Sequence, residues 1–155
     1  MEGRGAVIYC DSSFLVPLYL YEAGRSDEAR QIASRWTEPA VISLLGELEW
    51  INTLGRKVTE KEITNAESGQ LVREFKQDLK SGIFCWPPLN LAVMFRDAVQ
   101  LSLRHTPAGG YRSLDILHVA AAKLCGAKQF LSFDERLNRL AKAEAMVILG
   151  AGGEL

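Results

Sequence analysis

No uninterrupted apolar stretch in this 155-residue chain approaches the roughly 20 residues that a membrane helix needs. Residues 1–5 are polar, and the apolar run behind them covers only residues 6–10, too short for the core of a secretory leader. Net charge is nearly absent: 18 basic against 19 acidic residues leave −1. That balance excludes bulk attraction to nucleic acid or to an anionic membrane, so a polyanion must be met through a local patch or a bound cation. Cysteine is scarce. Cys10, Cys85 and Cys125 are odd in number and far apart, with neither a CxxC pair nor a zinc spacing. The expectation is a reduced, cytoplasmic protein without a membrane segment. Repeats, low-complexity tracts and a second domain are missing too.

What is present is ordinary globular composition, 48% hydrophobic and 24% charged, in a length that suits one domain. Short apolar runs alternate with longer helical patterns. Residues 6–10, 40–43, 83–86, 129–132 and 146–149 read as strands. Between them, helical spacing covers residues 14–21, a segment opened by Ser26, residues 44–56, a long segment from Thr59, and residues 91–104. Thr59 with Glu62 has the capping-box form, and residues 106–110 read as a loop. Ser113 starts a helix that is apolar nearly all round, stopped by Gly126, and Asp134 caps a further helix. Strands separated by helices require crossovers. The fold class is therefore α/β, a three-layer α/β/α sandwich on a parallel sheet of four to five strands. Residues 1–149 form the expected single domain and 150–155 a flexible tail.

Open parallel sheets bind ligands outside the carboxyl ends of their strands. Asp11 follows the first strand directly, Asp134 follows the fourth across Phe133, and Asp115 lies in the first turn of the buried helix. Glu49 sits among Leu45, Leu48, Trp50 and Ile51, where a carboxylate must find a partner or lose its charge. Glu47 competes with Glu49, and periodicity does not choose between them. Taken singly, Asp11 and Asp134 stand where helix caps are expected and Asp115 suits a helix dipole. Gathered at one sheet end, four carboxylates repel: at an effective dielectric near 20, a like pair about 4 Å apart costs on the order of 4 kcal/mol. A divalent cation relieves that cost, and all-oxygen ligands favour Mg²⁺ or Mn²⁺ over zinc.

These residues fall in motifs. VIYCDSSFL at 7–15, EWINTL at 49–54, RSLDILHVA at 112–120 and FLSFDER at 130–136 resemble the PIN domain, in its order and from about Val7 to Leu149. The resemblance is strongest to the VapC-type toxin ribonucleases of toxin–antitoxin pairs. It implies a Mg²⁺- or Mn²⁺-dependent endoribonuclease acting on RNA, a cognate antitoxin protein that covers the acidic pocket, and a homodimer. Carried over by position, Asp11, Glu49, Asp115 and Asp134 are the catalytic, metal-holding acids, with Glu49 preferred to Glu47 by the Glu49-x-x-Asn52-x-Leu54 spacing. Ser13 matches the hydroxyl residue that orients the first acid. Ser12 and Ser132 stand where threonine is common.

Other residues carry weaker signals. Arg112 and Arg136 flank the third and fourth acids and are candidates for RNA phosphate contact or for surface ion pairs. His118 is three residues beyond Asp115, within hydrogen-bond reach on one helical face, although a satisfied core histidine is the commoner role. His105 reads as the end of a helix. The basic residues between Arg56 and Lys80 are diluted by glutamates and read as a solvated face. Phe14, Leu15, Leu18, Tyr19 and Tyr21 exceed what one sheet face needs, so a dimer seam or antitoxin groove competes there with core, which Phe14 and Leu18 favour. An aspartyl-phosphate enzyme would want an acid where Ser13 stands, and a receiver domain lacks its lysine. A non-catalytic RNA-binding or scaffold module on the same fold is the remaining alternative.

Overall fold

The computed structural model of the chain describes residues 6–150. Residues 1–5, and all of the expected tail except Gly150, lie outside them. The elements run β1 (Ile8–Cys10), α1 (Ser12–Tyr19), α2 (Arg25–Ala33), β2 (Ala40–Ile42), α3 (Leu44–Thr59), α4 (Asn65–Ser81), β3 (Phe84–Cys85), α5 (Leu91–Gly109), α6 (Ser113–Leu124), β4 (Gln129–Leu131), α7 (Glu135–Ala143) and β5 (Val147–Leu149). All strand pairs are parallel, in the order β3-β2-β1-β4-β5. The expected α/β/α architecture holds.

Strand alternation sorts side chains to two cores. Tyr9, Val41 and Phe130 face one, packed against α5, α6 and α7. Cys10, Ile42 and Leu131 face the other, packed against residues of α1 to α4 such as Phe14, Ala29, Trp50 and Phe75. The register pairs Cys10 with both Ile42 and Leu131. The next residues, Asp11, Ser43 and Ser132, therefore lie side by side at the carboxyl edge. Strand order reverses at β1, between β2 on one side and β4 on the other, which is where such sheets open a crevice. Asp11 N–H still reaches Leu131 O at 3.2 Å, so the edge stays ordered there.

Several boundaries move. The capping box forms at Thr64 and Glu67, not at Thr59 and Glu62. Thr59 is instead the last residue of α3 and donates to Gly55 O (3.2 Å), while Glu62 accepts from Lys57 at 2.5 Å. The expected loop at 106–110 is mostly helix: α5 continues through Pro107 to Gly109. A proline in a last turn sacrifices only one late bond, and Gly110, at φ 62°, closes the end by donating to Thr106 O at 2.9 Å. His105 thus lies within α5 and bonds Glu144 at 2.6 Å. Phe14 and Leu15 are fully buried, so they belong to the core and not to a seam. Tyr21 of the same segment stays 73% exposed, and a further unburied apolar row lies on α5, where Leu91, Phe95, Val99 and Leu103 repeat every four residues and are all more than half exposed. No helix among the described residues is long and apolar enough to cross a membrane.

Candidate functional site

Asp11 occupies the N-cap position of α1 with extended backbone, but its side chain caps nothing. Its oxygens turn to two serines: Ser13 Oγ donates to Oδ1 at 2.7 Å and Ser132 Oγ to Oδ2 at 3.0 Å. Both serines are anchored by the β4–α7 turn, Ser13 Oγ accepting from Phe133 N–H and Ser132 Oγ from Asp134 N–H, each at 2.9 Å. Asp11 is only 4% exposed. Burial lifts its carboxyl from the ordinary 3.8 to about 6, against nearby His118 and the two serine bonds, which pull down, and with Glu49, which pushes up. An aspartate so desolvated, with hydroxyls alone as direct partners, is a carboxylate short of a cation.

Asp134 does cap its helix, Oδ1 accepting from Arg136 N–H (2.9 Å) and Leu137 N–H (3.3 Å). Its other oxygen, Oδ2, faces Arg112 Nη2 at 3.7 Å. Asp115, also 4% exposed, is the third residue of α6 and accepts from Arg112 N–H at 3.1 Å. The Arg112 residue, not Ser113, stands at the N-cap of α6. Its guanidinium forks onto Asp115, with Nε to Oδ2 at 3.2 Å and Nη2 to Oδ1 at 3.3 Å. Arg112 therefore bridges the third and fourth acids from a largely exposed position. Arg136 is exposed and enters no ion pair among the described residues.

Glu49 projects from α3, one turn past an N-terminus that Ser43 caps by accepting from Gly46 N–H at 3.1 Å. Ser12 Oγ donates to Glu49 Oε1 at 3.3 Å, and His118 Nε2 bonds the same oxygen. The side chain of Glu47 takes no hydrogen bond or ion pair among the described residues. His118 does not bond Asp115, its neighbour along the helix. It spans from Glu49 to Tyr9, whose hydroxyl lies 2.8 Å from Nδ1 and 2.8 Å from Ser43 Oγ.

One network therefore joins all four acids. Ser132 links Asp11 to Asp134, Arg112 links Asp134 to Asp115, and neighbouring Ser12 and Ser13 tie Glu49 and Asp11 to the start of α1. Sequence reasoning missed Tyr9 and Ser43. Ser43 follows β2 as directly as Asp11 follows β1, so inspecting every post-strand residue would have found it. Tyr9 is the one hydroxyl in the apolar run 6–10.

As placed, no three His, Cys, Asp or Glu side chains among the described residues converge closely enough to hold a metal ion. The donor chemistry still fits a hard cation: carboxylate oxygens only, one of them buried without a cationic contact. Mg²⁺ is commonly held by one or two carboxylates and keeps several waters. Asp11, Glu49, Asp115 and Asp134 are the residues that could hold it.

A five-stranded parallel sheet between helical layers, with acids from four segments joined in one network near its carboxyl edge, defines an α/β protein of three layers. Residues 8–143 match the PIN domain family model. The chain belongs to the PIN domain family. No curated protein matches it significantly. Solved structures share the fold, among them the following three. VapC20 of Mycobacterium tuberculosis, described as a sarcin–ricin loop cleaving toxin, is 15% identical with a TM-score of 0.65, over 85% of this chain and 93% of that one. PAE2754 from Pyrobaculum aerophilum is 18% identical with a TM-score of 0.56, over 93% and 84%. FitAcB from Neisseria gonorrhoeae is 12% identical with a TM-score of 0.60, over 93% and 97%. At these identities the likeness speaks for the fold alone.

Proposed function

We propose that the chain is a Mg²⁺- or Mn²⁺-dependent endoribonuclease, the VapC-type toxin of a toxin–antitoxin pair. The observation that carries this reading is the network above: acids from four separate segments, linked at the switch point of a PIN-family sheet. Asp11, Glu49, Asp115 and Asp134 are the metal-holding acids, and Ser13 and Ser132 orient the first of them. A bound Mg²⁺ or Mn²⁺ would supply positive charge to a phosphate oxygen and a water acidic enough to act as nucleophile near neutral pH. The buried Asp11 keeps bulk water from its own carboxylate, and Arg112 and Arg136 offer guanidinium groups to RNA phosphates at the rim. Attack in line would release a 5′-phosphate and a 3′-hydroxyl without a covalent enzyme intermediate.

The partners follow from the same reading. A cognate antitoxin would cover the acidic pocket, and a second copy of the chain would cover the apolar face of α5, which favours a homodimer in the cytoplasm. The VapC20 description makes structured ribosomal RNA one substrate to include. The test is incubation of the purified chain with labelled single-stranded and structured RNAs, with Mg²⁺, Mn²⁺ or EDTA, beside Asp11→Ala. Cleavage that needs the metal and vanishes in the variant supports the reading. Equal cleavage by Asp11→Ala assigns the activity to a contaminant. No cleavage of any RNA favours the non-catalytic RNA-binding or scaffold module.

A further inference from the structure

The side chain of His118 is all but enclosed, and so are those of Tyr9 and Ser43. Together they form a chain of hydrogen bonds that ends on Glu49. Its direction follows from donor counting. A carboxylate only accepts, so Nε2 of His118 carries the proton that faces Glu49 Oε1. In a neutral ring Nδ1 is then an acceptor, and Tyr9 donates to it across 2.8 Å. With the Tyr9 proton so used, its oxygen accepts from Ser43, whose own oxygen also takes Gly46 N–H; in the opposite tautomer the Tyr9–Ser43 pair, 2.8 Å apart, exchanges roles.

Two features take this beyond a satisfied core histidine. Both donors to Glu49, His118 Nε2 and Ser12 Oγ, converge on Oε1. Oε2 accepts no hydrogen bond among the described residues and is left for a ligand. The bond also crosses the sheet: Trp50 and Leu54 of α3 pack in the core on one face, and Ile116 and Val119 of α6 in the core on the other. His118 lies one turn from Asp115, so it ties the second acid to the third over the carboxyl edge.

We propose that His118, backed by Tyr9 and Ser43, is a positioning residue that fixes the Glu49 carboxylate with one oxygen presented to the divalent cation. This rests on the metal reading given above. Carboxylates and their outer partners are coupled in this way in metal sites, where loss of the partner typically weakens binding by about 10- to 100-fold.

The test is Mn²⁺ titration by calorimetry on the metal-free protein, with thermal melting in EDTA as the parallel readout. His118→Leu should weaken Mn²⁺ binding by about tenfold or more, and His118→Gln, which can return an amide N–H toward Glu49, should recover part of it. Tyr9→Phe keeps the ring stacked on Phe130 (5.4 Å between centroids) and should weaken binding in the same direction by less. It also serves if His118→Leu does not fold. Wild-type Mn²⁺ binding that these variants leave within about twofold, whatever their melting temperatures, overturns the positioning role alone. Absence of any Mn²⁺ binding by the wild type overturns the metal reading and this proposal with it.

Discussion

At pH 7 and without divalent cations, Asp11→Asn is expected to melt higher than the wild-type chain. The reason is the buried carboxyl, which burial lifts from 3.8 to about 6. The folded state thus binds this proton more tightly than the unfolded state does. Stability tied to Asp11 is fully present below about 3.8 and is lost as pH climbs through about 6. A rise of roughly two pH units, at about 1.4 kcal/mol each, makes the loss about 3 kcal/mol at pH 7. Asparagine never ionises and still offers an oxygen to one serine and an amide to the other. For a chain of this size, 1 kcal/mol moves the melting temperature by about 2–4 °C, so the gap at pH 7 should be about 6–12 °C. Below about pH 4 the two proteins should converge. Differential scanning calorimetry in EDTA from pH 4 to 8 reads this directly. A gap that does not change with pH, or an Asp11→Asn protein that melts lower at pH 7, would refute the argument that burial dominates at this site. Adding Mg²⁺ or Mn²⁺ should then raise the wild-type transition by mass action and leave the variant where it was.

Two further substitutions probe the frame around the acids. Arg112→Ala removes the cation that bridges Asp115 and Asp134, and Mn²⁺ affinity measured by calorimetry should rise by up to about fivefold, the ceiling set by exposed ion pairs; Arg136→Ala removes an equal charge without a contact, and an equal rise there would sink the competition argument. Gly46→Ala places a methyl 2.9 Å from Ile42 Cγ1 in the core, which should cost about 1–3 kcal/mol in chemical denaturation, and an unchanged midpoint would mean that the start of α3 gives way freely.

The sheet and most helices were legible because their signals are local: apolar runs of strand length, and helical spacing between them. What failed was also local, but decided by competition. Thr59–Glu62 and Thr64–Glu67 both satisfy the capping-box pattern, and the first loses because α3 extends three residues further and ends at Thr59. Pro107 signals a break, yet α5 carries it in its last turn, where only the bond to the carbonyl of Leu103 is given up and the chain leaves the helix two residues later. The surplus of apolar side chains is real, but only part of it lies where the N-terminal segment suggests. Phe14 and Leu15 vanish into the core and Tyr21 stays exposed, while α5 exposes a stripe at four-residue spacing that lies within the helical pattern of residues 91–104.

Asp11 and Asp134 came from one rule, that residues just after the strands at the carboxyl edge are the ones to inspect, and Glu49 and Asp115 from their helix settings and the motif resemblance; the register of β1 with β2 and β4 sets Asp11 beside Ser43 and Ser132. The rule says nothing of polar groups that approach from inside the sheet. Tyr9 is two residues before Asp11 and points to the same face, so a hydroxyl there can reach the site from below. Sequence spacing sets His118 along its own helix, toward Asp115, because i,i+3 contacts are the ones a sequence displays. Its bond runs instead to α3, and only the sheet's thickness, which sets α3 against α6 across one edge, brings Glu49 into range. That contact also separates Glu49 from Glu47: two positions on the helix turn the Glu47 side chain away from every donor in the network, a distinction that periodicity alone did not make.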